Sequence, residues 1–168
     1  MPVNRTEFHS LVGQALALAE SRAAEIWAVS PPPRLRIIDR AKVRRAVQHW
    51  PEVHIDWSRA VRRCRSYSQS CFVGIEVENR ICLLALIRVS RRGLHTSLLV
   101  VEKDRDLVPA GVAMSVMDVT LEAIAAIWDS KRIVIDDPLP ELIPYYRTFG
   151  FRSMKLRGRS ASAMFKLT

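Results

Sequence analysis

The chain is poor in the residues that build metal and disulfide frameworks. Its cysteines, Cys64, Cys71 and Cys82, are odd in number and lack the close paired spacing of a zinc site. They read as ordinary reduced thiols, with Cys71 and Cys82 as small core residues. The four histidines, His9, His49, His54 and His95, form no His-x-x-x-His or Cys-x-x-His pairing, so no metal site is expected. Long apolar runs are missing too: none reaches the length of a membrane span. The opening Met-Pro-Val-Asn-Arg-Thr lacks the basic-then-apolar layout of a secretory signal, and a cytoplasmic location is expected. Internal repeats and low-complexity tracts are absent.

Acid is the scarce charge. There are 26 Lys and Arg against 17 Asp and Glu, a net charge of +9. The excess sits in two blocks. Residues 34–65 carry ten basic side chains against three acidic ones, and residues 147–168 carry six basic side chains and no acid. Such asymmetry fits a polyanionic partner, a phosphorylated ligand or an acidic protein face, and it equally fits a solvated basic surface.

The 168 residues suit one domain with an added arm. We place the arm at residues 1–33 and the body at 34–168. Residues 6–29 follow helical spacing through Phe8, Leu11, Val12, Ala15, Leu16, Leu18, Ala19, Ala23 and Trp27, with Thr6 as the expected cap and Pro31–Pro33 as the stop. One amphipathic helix cannot bury its own apolar face, so it must pack on the body or on a second copy, which makes it a candidate dimerisation arm. Leu35–Ile38 reads as a short strand. Asp39 then reads as a helix cap, and a second helix runs from near Asp56 to Tyr67. The two helices alternate an apolar seam with an arginine-rich outer face, Arg59, Arg62 and Arg63 pointing outward from the second.

From Cys71 the period changes to two. Phe72–Val77, Ile81–Val89 and Leu94–Glu102 read as a three-strand meander with turns at Glu78-Asn79-Arg80 and Ser90–Gly93. Met114–Trp128 is apolar on most faces, as a helix buried against a sheet should be. Strand Ile133–Ile135 follows it, a right-handed β–α–β crossover. A short helix with Tyr145 and Tyr146 stops at Gly150, which can take φ > 0 past a helix end. Phe151–Leu156, a turn near Gly158 and Ala163–Leu167 read as a closing hairpin. The fold class expected is α/β (α+β): a mixed central sheet flanked by helices, with an extra helix at the N-terminus.

Two segments carry a family resemblance. Tyr146-Arg-Thr-Phe-Gly-Phe151 resembles the Tyr-x-x-x-Gly-Phe segment of the GNAT acyltransferase superfamily, and the order of elements over residues 34–168 is similar to that fold. Val108-Pro-Ala-Gly-Val-Ala113 aligns with the family's pyrophosphate loop, Arg/Gln-x-x-Gly-x-Gly/Ala. Gly111 and Ala113 match, Val108 stands where the family has Arg or Gln, and Pro109 donates no N–H.

The resemblance implies an N-acyltransferase using acetyl-CoA and an amine acceptor, without metal. Backbone groups at Val108, Ala110, Gly111, Val112 and Ala113 would hold phosphate oxygens at a helix N-terminus, with Arg147 near the adenosine phosphate. Tyr146 would give a proton to the leaving thiolate, Tyr145 would pack inward, and Glu102 is the carboxylate best placed for a general base. The alternative is a GNAT-like scaffold that has lost catalysis and binds a protein or nucleic acid through its basic surface.

Overall fold

A computed structural model of the protein describes residues 3–155 and 162–168. Seven strands form one sheet: β1 (Arg34–Ile38), β2 (Ser70–Val77), β3 (Arg80–Val89), β4 (His95–Lys103), β5 (Arg132–Asp136), β6 (Arg152–Met154) and β7 (Ala163–Leu167). Their order is β1-β2-β3-β4-β5-β7-β6. The helices are α1 (Arg5–Trp27), α2 (Arg40–Val47), α3 (Trp57–Ser66), α4 (Val112–Ile127) and α5 (Ile143–Arg147). The expected α/β architecture with a mixed sheet and an N-terminal helix is therefore the observed one.

The meander forms as its period-2 pattern requires. Glu78 and Asn79 both have positive φ, 49° and 64°, the conformation of a tight two-residue hairpin. Cys71, Val73 and Ile75 of β2 join Leu83, Ala85 and Ile87 of β3 on one face, while Phe72, Leu84 and Leu86 lie on the other. The first face is covered by α1 and α4. The second packs on α2 and α3 through Trp50 and Trp57, whose ring lies 6.2 Å from that of Phe72. All three cysteines are buried and free, and burial pushes the Cys82 thiol up to about 12.

Helix α1 is part of this core. Phe8, Val12, Ala15, Leu16, Ala19, Ala23 and Trp27 pack in one cluster with α4 and the sheet. The apolar face that the sequence leaves unpartnered is thus covered by the chain itself, except at Leu18, which is exposed. The cap is Asn4, whose Oδ1 accepts from Glu7 N–H at 2.9 Å, and not Thr6. A cap must precede the first helical residue, and the helix already begins at Arg5. Arg63 also departs from expectation. It turns from the solvated face of α3 to pair with Asp136 at the end of β5, 2.5 Å away.

Every neighbouring strand pair is antiparallel except β4–β5. That parallel pair is brief: His95–Leu98 lie opposite Arg132–Ile135. Beyond Leu98, β4 pairs with β3 alone, and the register shifts there, with Leu86 opposite Val100 but Ile87 opposite Leu98. The extra residue, Leu99, is a β-bulge, which bends its strand and increases its twist. The sheet consequently splits along β4, leaving the backbone of Leu99–Lys103 without a strand partner on the β5 side. The closing hairpin pairs β6 with β7, and β7 inserts between β5 and β6. Leu156 and the turn expected near Gly158 lie outside the described residues.

Candidate active site at the split of the sheet

Three pieces of chain converge where β4 loses its neighbour. The first is the end of β4. The second is the N-terminus of α4, which Gly111 opens with φ +75°. This left-handed turn is one that glycine takes without a Cβ penalty. The third is α5, entered through a 3-10 turn at Pro140–Leu142. Together they enclose a cavity of about 380 Å³ lined by Leu83, Val101, Glu102, Lys103, Gly111, Ala113, Met114, Leu142, Tyr145 and Tyr146. Five residues singled out in the sequence, Glu102, Gly111, Ala113, Tyr145 and Tyr146, thus share one cavity.

The α4 terminus has the features of an anion site. The first N–H groups of any α-helix lack intrahelical acceptors, and the helix dipole places partial positive charge there. Here no side chain caps them, and the first turn holds no acid. A Cβ built on Gly111 would meet nothing within 4 Å, so a ligand can come directly against this backbone. Lys103 adds a cation to the same cavity. The sequence pattern does not pick it out, because it closes a strand in an ordinary polar segment.

The other loop positions divide. Val112 packs partly against the core, and Ala110 is exposed in the turn before it. Val108 is buried in the core, with its N–H donated to the Asp104 carbonyl at 3.1 Å. Arg147 is exposed at the end of α5 and does not line the cavity.

The tyrosines take opposite orientations to those expected for the pair. Tyr145 is 38% exposed, while Tyr146 is 6% exposed and packed in the main core. Burial, with Tyr145 as a lesser contributor, raises the Tyr146 pKa above the ordinary tyrosine value. Its phenol therefore keeps its proton at neutral pH. The ring of Tyr145 meets Phe149 edge-on at 5.2 Å, which steadies the exposed side of the short helix.

Glu102 is heavily engaged. One carboxylate oxygen accepts from His54 N–H at 2.5 Å, and the other from Trp57 Nε1 at 2.9 Å and Ile55 N–H at 3.4 Å. It ties the segment between α2 and α3, and the first residue of α3, to β4. Hydrogen bonds to an ionised acceptor are among the strong ones. We expect Glu102→Ala to lower stability by about 2 kcal/mol, read as a fall in the urea midpoint at constant slope. Glu102→Gln, which keeps one acceptor oxygen, should fall between the two. An unchanged midpoint for the alanine variant would show that these bonds hold nothing.

No protein-family model matches the chain, and neither does any curated protein. Solved structures do. Ard1 from Thermoplasma volcanium superposes with a TM-score of 0.59 at 16% identity, over 81% of this chain and 97% of that one. The PaiA N-acetyltransferase from Thermoplasma acidophilum, solved in complex with coenzyme A, gives 0.59 at 11% identity over 81% and 99%. The spermidine/spermine N-acetyltransferase SpeG from Vibrio cholerae gives 0.56 at 12% identity over 80% and 92%. By these superpositions the chain has the fold of the GNAT acetyltransferases.

Proposed function

We propose that the protein is an N-acyltransferase that moves an acetyl group from acetyl-CoA to an amine. The observation that carries this reading is a single cavity. In it an uncapped helix N-terminus, an open glycine, a lysine and a buried protonated tyrosine meet beside unpartnered strand backbone.

These residues fit a CoA thioester. Backbone N–H groups at Gly111 and Ala113, with the Lys103 ammonium, would hold the pyrophosphate oxygens, while the Val112 N–H donates to the Pro109 carbonyl at 3.3 Å. Exposed Arg147, on the helix of both tyrosines, is the proposed contact for an outer phosphate. The backbone of Leu99–Lys103 offers strand-type hydrogen bonds to an extended amide chain. Acetyl-CoA, when bound, supplies an acyl group already activated as a thioester. Tyr146 Oη holds the proton that a departing sulfur needs. Glu102, the carboxylate expected to act as base, has both oxygens taken by donors, which supports a positioning role: it fixes the α2–α3 segment over the end of β4.

Calorimetric titration with acetyl-CoA and with CoA tests the reading directly. Saturable binding in the micromolar range is expected. Absence of heat up to millimolar ligand rejects it. Binding without transfer to any amine would instead favour the non-catalytic scaffold.

A further inference from the structure

On the α3 side of the sheet, β4 and β5 present a second set of side chains. His95 and Ser97 alternate with Thr96 and Leu98, whose side chains reach Ser130 and the α4-side core respectively. Arg132 and Val134 likewise alternate with Ile133 and Ile135. The register places His95 beside Arg132, and Ser97 between Arg88 of β3 and Val134 of β5. Adjacent strands lie about 4.8 Å apart, so Arg88, His95 and Arg132 are close neighbours on one face. They line a cavity of about 280 Å³ roofed by Arg63 and Tyr67 of the α3 end.

Two of these cations are held by rings and not by carboxylates. The Arg88 guanidinium lies 4.1 Å from the Tyr67 ring centre, and that of Arg132 lies 5.3 Å from Phe165. Among the described residues neither has a carboxylate partner, since the one carboxylate lining the cavity, Asp136, is taken by Arg63. A guanidinium stacked on a ring keeps its N–H edges available and is pre-set for fork-like binding of carboxylate or phosphate. His95 reports the same field: burial first, then Arg88 and Arg132, hold its pKa below the ordinary histidine value.

This cavity continues toward the reaction centre. A neighbouring cavity of about 300 Å³ shares Arg63 and Leu99 with it and reaches Val100, where β4 has lost its partner. Its acidic members are Asp137 and Asp56, one oxygen of which caps α3 by accepting from Arg59 N–H at 2.9 Å, with Arg59 exposed at the rim and Arg63 taken by Asp136. The groove is therefore bipolar. Carboxylates suited to an ammonium stand at the split, and unpaired guanidinium groups stand two to four residues back along β4. At about 3.3 Å per strand residue, that is a separation of roughly 7–13 Å.

We propose that the acceptor is a small amine bearing a carboxylate or phosphate roughly 7–13 Å from its nitrogen, with the anion held by Arg88, Arg132 and His95. The assignment rests on the acyltransferase reading and adds the substrate class to it. A polycationic amine fits poorly, because its far charge would lie against two guanidinium groups.

The test compares four probes that share one six-carbon chain: aminohexanoate, aminohexyl phosphate, hexylamine and diaminohexane. Thiol release from acetyl-CoA gives kcat/KM for each, and a parallel titration follows the His95 ring resonances without acetyl-CoA. The anionic amines should exceed hexylamine by about tenfold or more, the worth of one charge-assisted contact, with diaminohexane poorest. The better of the two anionic probes identifies carboxylate or phosphate as the group read. In an Arg88→Gln/Arg132→Gln double variant the ratio of anionic to neutral amine should collapse to about one. Because each ratio is taken within one protein, loss of active material does not imitate it, and the wild-type comparison stands even if the variant fails to fold. Transfer with equal preference for all four probes overturns the inference and leaves the acyltransferase reading in place. A His95 response to aminohexyl phosphate without acetyl-CoA binding does the reverse: it rejects the acyltransferase reading and the acceptor role, and leaves an anion site. Steeply salt-dependent binding of single-stranded DNA, with no His95 response to small anions, overturns the small-acceptor assignment in favour of a polyanion surface.

Discussion

Tyr146→Phe should slow turnover by about a hundredfold while leaving acetyl-CoA affinity within about twofold, the signature of a lost proton donor. The expectation follows from where the hydroxyl sits. Tyr146 is 6% exposed at the wall of the cavity, on the short helix that faces the end of β4. Burial raises its pKa, so the protonated form persists past the ordinary tyrosine range. The wild-type activity should accordingly hold up toward alkaline pH before the phenol ionises and the rate falls. A hundredfold loss is about 2.7 kcal/mol of transition-state stabilisation. Phenylalanine keeps the ring in the core, so the melting temperature should hardly move. Tyr145→Phe is the comparison, since that hydroxyl is on the exposed neighbour. A drop of under about tenfold is expected there. If the two variants fall equally, or if only the Tyr145 variant falls, the assignment of the donor is wrong. Steady-state kinetics with acetyl-CoA and any turned-over amine decides it.

The sequence made the framework readable because its signals are local. The Glu78-Asn79 turn, the period-2 strands and the cap at Asp39 each act over a few residues, and each formed where expected. The glycine before α4 and the tyrosine helix were legible for the same reason. Contacts between distant segments were not. Glu102 reaches donors 45 to 48 residues away, so a carboxylate that reads as a free base in the sequence is a tether in the fold. Arg63 looks like one of several outward arginines until β5 brings Asp136 to it, 73 residues on. The inward turn of Tyr146, and not Tyr145, has no periodic signal, because a five-residue helix is too short to show one. Lys103 and the bulge at Leu99 lie in the same blind spot. One is a lone cation at a strand end, and the other exists only as a mismatch of register between β3 and β4.

Substitutions at Gly111 should separate backbone strain from ligand binding, because the two effects run in different directions there. The residue has φ +75°, and a Cβ would meet nothing within 4 Å. Any side chain therefore pays only the left-handed backbone cost, about 1–2 kcal/mol, with no steric clash added. Gly111→Ala should lower stability by that amount, read as a fall in the melting temperature, and weaken acetyl-CoA binding moderately, since the methyl group stands where the phosphates are proposed to approach. Gly111→Asp should be more stable than the alanine variant. Aspartate tolerates the left-handed region better than most residues, and its charge favours an uncapped helix N-terminus by about 0.3–1 kcal/mol. Yet it should bind acetyl-CoA at least about a hundredfold more weakly, because one like charge now occupies the site proposed for two phosphates. The more stable variant is thus the poorer binder. Thermal melts and calorimetry on the same two proteins read both quantities. If binding follows stability in the same order, the phosphates are held elsewhere, and the α4 terminus serves only to start a helix.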